Sequence, residues 1–297
     1  MYSVSFLLKM SELRTYPFRY TVNKLQQINT TTIRERLGRG PQELFQPHRT
    51  DFFHIYLITD GKGSHMVDFD HIAVEPNHIL FISQGQVHAF DPNGSYDGKA
   101  LIFTADFFCR TESDKIFLES TSLFNNFFCQ SYFRIGKSFD KLCLNFTEIF
   151  DELRNTLDDG QSEILHNLLY RILLLSQQEI EQQMGIRKKI TASDLLAINF
   201  KQEVYKSFKI HKNTGYYADL LNVSVRRLQM ATSMTFNKTP KQLIHDRILL
   251  EAKRVLAYDV LSVKEVASEL GFEETTNFVK FFKHKSGLTP KNFKSSL

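Results

Sequence analysis

Hydrophobic and polar residues follow two different patterns along the chain. Between Phe45 and Thr104, short runs rich in Phe, Ile, Val and Tyr are separated by clusters of Gly, Pro, Asn and Asp. Turn signals at intervals of roughly 8–12 residues are typical of short antiparallel strands. From about Phe139, apolar residues instead recur every three or four positions, which predicts helices. The sequence therefore predicts a two-domain α+β protein in which the strands come first.

The change of pattern also predicts where the domains begin and end. We expect residues 1–138 to form an antiparallel β-barrel, followed at 139–184 by a helical hairpin that turns at the sequence DDGQ. The hairpin has more apolar surface than one packed face requires. A polar and basic segment, residues 185–193, then predicts a linker, and residues 194–297 predict an all-α domain.

The last third of the chain contains an internal repeat. Residues 217–240 align with residues 266–290 at an offset of 49 and, after one inserted residue, of 50. Each copy predicts a short amphipathic helix, then Asn222 or Gly271 at a position that suits a positive φ, then a second helix that ends before Thr-Pro. This is the pattern of a helix-turn-helix used twice, with one long helix predicted between the copies.

Charge is distributed unevenly between the two parts of the chain. Residues 187–297 contain 20 Lys and Arg against 10 Asp and Glu, whereas residues 1–186 contain 17 against 23. The C-terminal third can therefore be drawn to a polyanion such as DNA, and the rest cannot. The three cysteines lack metal-binding spacing, and the sequence has neither a signal peptide nor a long apolar run. We therefore expect a cytoplasmic protein without a membrane partner.

Residues 247–294, which include the second copy of the repeat and part of the helix before it, resemble the signature of the AraC/XylS family of bacterial transcriptional regulators. The resemblance covers residues 195–297, and two positions of the first copy, Thr232 and Asn237, depart from the Phe and Gly that are common in the family. The matching positions are Arg247, Ala252, Val266-Ala267, Gly271-Phe272, Phe278, Phe282-Lys283 and Gly287-Leu288-Thr289-Pro290. The resemblance implies a double helix-turn-helix that binds promoter DNA, with activation of RNA polymerase as the commoner outcome.

The second helix of each copy is the expected recognition helix, which lies in the major groove of DNA. Side chains on its exposed face are expected to contact base edges, and neighbouring Lys and Arg are expected to contact phosphates. By spacing and by resemblance, the expected DNA-binding residues are Arg226, Arg227, Gln229 and Met230 in the first copy, and Thr275, Thr276, Val279, Lys280 and Lys283 in the second.

The strand-rich region resembles the cupin-like sensing domain of AraC-type regulators over about residues 25–130. That resemblance implies a small effector bound inside the barrel, and an interior of aromatic rings with a few polar groups suits a sugar or another small polar metabolite. The candidate effector-binding residues are His48, Arg49, His65, Gln86 and His88. By the same resemblance, the helical hairpin is expected to form a homodimer; the alternative is that its apolar stripe packs on the barrel.

Six of the ten histidines fall in the strand-rich region, which raises the alternative of a metal-dependent cupin enzyme attached to a DNA-binding tail. Such an enzyme would need a His-x-His pair, a Glu and a later His. His48 is followed by Arg49 and Thr50, so the expected pattern is incomplete. We expect no catalytic residue, no metal and no cofactor. A regulator without any effector is a third possibility.

Overall fold

The computed structural model describes residues 13–19, 26–39, 41–124, 131–155, 160–184 and 191–297. These residues fall into two compact units, one within Thr15–Lys189 and the other within Ile190–Leu297. Most of the predicted linker, residues 185–190, lies outside the described residues, and the first helix of the second unit begins at Ala192. Within the described part of the chain, no helix is both long and apolar enough to cross a membrane.

The first unit contains two antiparallel sheets and one short parallel pair. The five-stranded sheet has the order β10-β7-β4-β9-β2, the three-stranded sheet has the order β6-β5-β8, and β1 pairs with β3. The strands are β1 (Thr15–Tyr16), β2 (Ile28–Thr32), β3 (Arg49–Thr50), β4 (Phe53–Asp60), β5 (Gly63–Val67), β6 (Asp70–Val74), β7 (His78–Ile82), β8 (His88–Phe90), β9 (Asp97–Phe103) and β10 (Tyr132–Arg134).

The α+β class is confirmed, but the prediction of a closed barrel is wrong for the described strands. The two larger sheets share no ladder of hydrogen bonds, and they are joined to each other by packing. Tyr56 and Ile58 of β4 contact a cluster that also contains Val67 of β5 and Phe90 of β8. The first unit is therefore two sheets face to face. Alternating apolar residues predict strands with a buried face, but they do not determine whether a sheet closes on itself.

The other face of the five-stranded sheet is covered by helices. Ile55 and Leu57 of β4 pack in a second cluster together with Phe146 of α5 and Leu169 of α6. The helices of the first unit are α1 (Ile33–Gly38), α2 (Pro41–Leu44), α3 (Ala105–Phe108), α4 (Glu112–Ser120), α5 (Phe139–Glu152) and α6 (Gln161–Met184). Much of the apolar surface of the predicted hairpin, α5 with α6, is thus used against the sheet.

The second unit is entirely helical among its described residues. The long α10 lies between the two copies of the repeat, α8 with α9 and α11 with α12, and residues of all five helices share one apolar core. The helices are α7 (Ala192–Ser207), α8 (Thr214–Leu220), α9 (Val225–Phe236), α10 (Pro240–Tyr258), α11 (Val263–Glu269), α12 (Thr275–Ser286) and α13 (Pro290–Ser295). The prediction of two helix-turn-helix units joined by one helix is confirmed.

The turn inside each helix-turn-helix has the same backbone hydrogen bonds. The N–H of Val223 donates to the carbonyl of Ala218 at 2.9 Å, and the N–H of Phe272 donates to that of Ala267 at 2.9 Å. Such a bond closes a helix end when the residue between is left-handed. Asn222 has φ 53° and Gly271 has φ 68°, as the sequence predicts.

The two left-handed glycines of the second helix-turn-helix, Gly271 and Gly287, differ in how much room they leave for a side chain. A Cβ atom at Gly271 would lie 1.8 Å from the carbonyl oxygen of Lys209, which is impossible without a backbone shift. Gly287, which ends α12 with φ 80°, has no atom within 4 Å of the corresponding position. Gly271 is therefore required by space as well as by conformation.

We predict that Gly271→Ala destabilises the protein much more than Gly287→Ala. Gly287→Ala is the control, and it should lower the free energy of unfolding by only about 1 kcal/mol, because alanine is less stable than glycine in a left-handed conformation. Gly271→Ala adds the displacement of the Lys209 backbone, for a total of about 3 kcal/mol or more. Urea unfolding of the full chain, followed by its helical circular dichroism signal, measures both values. Equal losses in the two variants would contradict the close approach at Gly271.

Candidate nucleic-acid interface and ligand site

Helix α9 has one buried and one exposed face. The side chain of Ser224 accepts a hydrogen bond from the N–H of Arg227 at 3.2 Å and so begins the helix. Arg226, Arg227, Gln229 and Met230 are all exposed. The buried face consists of Leu228, Ala231, Thr232, Thr235 and Phe236. The helix thus presents two guanidinium groups and one amide, which can bond guanine, adenine and phosphate, together with one thioether.

Helix α12 is built in the same way but carries more positive charge. Thr276, Lys280 and Lys283 are exposed, and Thr275 and Val279 are half-buried. The buried face consists of Phe278 and Phe282. The basic residues of its last turn lie where the negative end of the helix dipole stabilises positive charge. Every predicted DNA-binding residue therefore lies on the two expected recognition helices, with seven of the nine fully exposed.

Buried polar contacts hold α9 and α10 in place. The hydroxyl of Thr235 on α9 donates to the carboxylate of Asp194 at 2.8 Å, which connects α9 to the start of α7. On α10, the guanidinium of Arg247 donates to Glu251 at 2.9 Å and lies 4.4 Å from the ring centres of Tyr205 and Phe208. These contacts fix α9 against the start of α7 and α10 against the end of α7, and such rigidity is what precise base contact requires.

Four histidines meet between the two sheets of the first unit. The ring of His88 lies at the centre, with ring centroids 4.3 Å from His48, 4.7 Å from His54 and 5.5 Å from His65. His48 and His88 also exchange both backbone hydrogen bonds, at 3.1 and 2.9 Å. All four side chains are at most 1% exposed. We call these four residues the histidine cluster.

Two of the four rings have hydrogen-bond partners on both nitrogens. The hydroxyl of Thr50 donates to the carbonyl of Phe52, so the Thr50 oxygen must accept from Nε2 of His54, at 2.9 Å. Because Nε2 carries the proton, Nδ1 of His54 accepts from the hydroxyl of Tyr56 at 2.9 Å. His65 contacts the hydroxyl of Tyr96 through Nδ1 at 2.9 Å and Nδ1 of His88 through Nε2 at 3.3 Å. These bonds fix the orientation of His54 and His65.

The other two rings each present a buried nitrogen that has no hydrogen-bond partner among the described residues: Nε2 of His48 and Nε2 of His88. Nδ1 of His48 donates to the carbonyl of Gln46 at 2.9 Å, so in the neutral ring Nε2 carries a lone pair. When Tyr96 donates to His65, the chain of contacts leaves Nε2 of His88 as a donor. A buried acceptor and a buried donor then lie on adjacent rings.

Burial keeps the histidine cluster neutral at physiological pH. Removal from water lowers the pKa of His48 to about 4 and that of His65 to about 3, and it places the pKa of His54 and of His88 well below 6.5. The positive charge of Arg36 on α1 lowers the pKa of all four histidines further. Neutral rings can both donate and accept hydrogen bonds, which suits a polar but uncharged group.

Of the five predicted effector residues, the structure brings together His48, His65 and His88. Arg49 lies between His48, a member of the cluster, and Thr50, which contacts His54. Because side chains alternate in direction along an extended chain, the Arg49 side chain points to the opposite side. Gln86 is buried, but its amide braces a loop: its oxygen accepts from the N–H of Ser83 at 2.7 Å.

Sequence reasoning missed His54 and Arg36. His54 begins the run His54, Tyr56, Ile58, which occupies one face of β4, but apolar residues on the other face hide this alternation. Arg36 lies on a short helix whose sequence, IRERLG, shows no signal of a site. The Nε atom of Arg36 is buried without a hydrogen-bond partner among the described residues, and it is a second donor in this region.

Two other features of the first unit bear on ligand binding. An open cleft of about 410 Å³ is lined by Lys62, Glu75, Pro76, Asn77, His78 and Arg134. It contains no member of the histidine cluster, and its lining is mostly polar surface. Within the described ranges, no group of three or more His, Cys, Asp or Glu is arranged to hold a metal ion.

The sequence matches two protein families over separate parts of its length. Residues 35–173 match the AraC-like ligand binding domain, and residues 217–296 match a helix-turn-helix domain. The HTH-type transcriptional activator RhaS of Yersinia pestis (strain Angola) is 22% identical over 274 residues, which cover 88% of this chain and 93% of the relative.

Solved structures resemble the chain at lower identity. ToxT from Vibrio cholerae is 10% identical with a TM-score of 0.42, over 92% of this chain and 99% of ToxT. The C-terminal domain of AraT, a response regulator from Geobacillus stearothermophilus, is 19% identical with a TM-score of 0.34, over 37% of this chain and 89% of that domain.

We predict that the histidine cluster makes the first unit less stable as the pH falls. Above pH 6.5 the rings are neutral in both the folded and the unfolded chain. Between about pH 6.5 and 4, His48 takes up a proton when unfolded but not when folded, so the free energy of unfolding falls by about 1.4 kcal/mol per pH unit. His48→Gln should remove that part of the slope.

The measurement is chemical unfolding of wild type and His48→Gln from pH 4.5 to 7.5. His71→Gln, at an exposed position on β6, is the matched control. Parallel pH dependences for wild type and His48→Gln would show that His48 is not held neutral in the folded protein.

Proposed function

Because the chain belongs to the AraC/XylS family of bacterial transcriptional regulators, we propose that it activates transcription under the control of a small effector. The duplicated recognition surface carries this proposal: two helices of one compact unit, α9 and α12, each expose a row of polar and basic residues and bury the opposite face. The relatives named as transcriptional activators favour activation over repression. The protein would act in the cytoplasm, where its DNA is.

DNA would be held by both recognition helices. Arg226 and Gln229 of α9 have the side chains that bond guanine and adenine through paired hydrogen bonds. On α12, Thr276 and Lys280 occupy the centre of the exposed face, and Lys283 lies one turn further on, in reach of phosphate. Arg227, Met230, Thr275 and Val279 complete the proposed contact surface.

The effector would bind at the histidine cluster. With Tyr96 donating to His65, the buried acceptor on His48 and the buried donor on His88 can be satisfied together by hydroxyl groups, because a hydroxyl both donates and accepts. A carboxylate only accepts, so it would leave the lone pair of His48 without a donor. We therefore favour a hydroxyl-rich effector such as a sugar over a carboxylic acid. Arg36 would provide a further donor.

Control by the effector requires that it bind one state of the protein more tightly than another. The proposed states differ in the arrangement of the two units, and each arrangement allows a different set of DNA half-sites to be held. A shift of population between such states is limited by the difference in effector affinity for them. RNA polymerase would be the partner that responds to the bound arrangement.

The helical hairpin is the proposed dimer interface. Although α5 and α6 bury apolar residues against the sheet, Ile164 and Leu174 on α6 are 47% and 41% exposed, and Leu144 on α5 is 55% exposed. Leu168 and Leu175 of α6 are only partly buried. A symmetric pair of hairpins would cover this surface and would place four helix-turn-helix units on one promoter.

Regulation rather than catalysis is proposed for the first unit. The alternative of a metal-dependent enzyme would need a group of metal ligands that the histidine cluster does not form, since two of its rings use both nitrogens in hydrogen bonds to other side chains. A regulator without any effector remains the competing proposal, and a ligand screen distinguishes the two.

We predict that a sugar or another polyol raises the thermal stability of the full chain. A ligand at 100 times its Kd stabilises the folded state by about 2.7 kcal/mol, which shifts the unfolding temperature by several degrees. His48→Ala and His88→Ala should remove the shift, whereas His78→Ala, which lines the separate open cleft, should retain it. A screen of sugars, polyols and carboxylates measures this. A shift produced only by carboxylates, or one kept by His88→Ala, would contradict the proposed site.

We predict that the full chain is a dimer in solution and that Ile164→Glu with Leu174→Glu makes it a monomer. Two carboxylates on the outer face of α6 would be buried without partners in the dimer, whereas they remain in water in the monomer. Light scattering after size-exclusion chromatography gives the mass directly. Val260→Glu, at an exposed apolar position of the second unit, is the control and should stay dimeric. A monomeric wild type would contradict the proposal.

A further inference from the structure

Two methionines stand out on the exposed face of α9. Met230 is 57% exposed and Met234 is 71% exposed, and their spacing of four residues places them next to each other on the helix. Met230 lies one turn after Arg226, in the row of side chains that we assign to DNA. An exposed pair of large apolar side chains next to two arginines, on a helix assigned to DNA, favours a partner that has apolar groups of its own.

The second copy of the repeat has opposite chemistry at the same positions. At the offset of 50 residues, Lys280 and His284 of α12 correspond to Met230 and Met234 of α9. The last turn of α12 contains Lys283, His284 and Lys285, whereas the last turn of α9 contains no basic residue. The fold and the left-handed residue that ends each helix, Asn237 or Gly287, are repeated, but the charge is not, so the two helices cannot contact DNA in the same way.

The major groove of DNA offers few apolar groups to a methionine. Its base edges present hydrogen-bond donors and acceptors, and the one apolar substituent among the four bases is the C5-methyl group of thymine. A thioether in the groove gains contact area only where such a methyl group lies beside it. Phosphate oxygens, which Lys280 can bind, offer Met230 nothing comparable.

We propose that Met230 and Met234 are specificity-determining residues, which make the first helix-turn-helix recognise thymine through its methyl group. This inference rests on the proposed contact between α9 and DNA and adds to it the class of base that is read. The half-site under α9 then contains thymines recognised by apolar contact, next to bases bonded by Arg226 and Gln229. The half-site under α12 is held mainly through charge.

Continuity with the neighbouring polar residues favours DNA over a protein as the occupant of this surface. Met230 lies one turn after both Arg226 and Arg227 and one turn before Met234, and all four side chains are exposed. Two exposed guanidinium groups at this surface complement the negative charge of a duplex. A protein partner that covered the methionines would have to cover these charges as well.

Replacing thymine by uracil tests the proposal, because uracil differs from thymine only by the missing methyl group and leaves every hydrogen-bonding group unchanged. The preferred duplex is first selected from a random pool by the full chain, and the two half-sites are assigned by footprinting with Arg226→Ala and Lys280→Ala. Duplexes that carry uracil in one half-site are then compared with the parent duplex by fluorescence anisotropy.

We expect uracil in the half-site of α9 to weaken binding by about fourfold for each methyl group contacted. Met230→Ala and Met234→Ala should weaken binding to the thymine duplex but bind the uracil duplex almost as well as wild type does. Met230→Leu, which keeps an apolar side chain, should retain the preference for thymine. Lys280→Ala, the matched control on α12, should weaken binding to both duplexes equally and lower the salt dependence by about one unit.

Several outcomes would overturn the proposal. These are equal affinity for thymine and uracil duplexes, an α9 half-site that contains no thymine, or methionine variants that lose the same factor on both duplexes. Methionine variants that bind DNA normally but fail to activate transcription would instead assign the pair to a protein partner. If wild type binds no duplex at all, the proposed DNA-binding function fails too, so the two failures are distinguishable.

Discussion

Burial of strand β4 on both faces is the constraint on which the first unit depends. Side chains alternate along a strand, so Ile55 and Leu57 point toward α5 and α6, whereas His54, Tyr56 and Ile58 point toward the three-stranded sheet. The polar atoms of His54 and Tyr56 are thereby removed from water and must find partners inside the protein. The hydrogen bond that His54 donates to Thr50 and the one that it accepts from Tyr56 meet this need, and they fix one side of the histidine cluster.

The same constraint explains why the cluster is suited to recognition. His54 and His65 are oriented by their neighbours, whereas His48 and His88 each keep one nitrogen without a partner among the described residues. A buried polar atom of this kind is unfavourable by itself, and it becomes favourable when a ligand supplies the missing hydrogen bond. The unit thus combines two rings that are fixed by their neighbours with two rings that, at the proposed site, would bond the effector. Burial keeps all four neutral, so that no charge has to be desolvated on binding.

The sequence predicts the second unit more completely than the first, for a physical reason. Helix-turn-helix geometry depends on local features that are visible in the chain: Ser224 as a cap, Asn222 and Gly271 with positive φ, and Phe278 and Phe282 at helical spacing. Sheet arrangement depends on contacts between distant segments, such as the backbone pair of His48 and His88. For that reason the strands were foreseeable and their separation into two sheets was not. His48, His65 and His88 were foreseeable as polar residues in an aromatic region, whereas Arg36 is placed by tertiary packing alone.

Helix α10 and the core around it have a consequence for the promoter. Both recognition helices belong to one apolar core, so the distance between them is a property of the protein and not of a flexible segment. At about 1.5 Å per residue, the 19 residues of α10 span about 28 Å, against about 34 Å for one turn of the duplex. If α9 and α12 both enter the major groove, as proposed, the fixed distance between these two helices allows only one spacing of the half-sites along the DNA. A promoter in which they are moved apart by five base pairs, about half a helical turn, turns one of them away from the protein even though every base is unchanged.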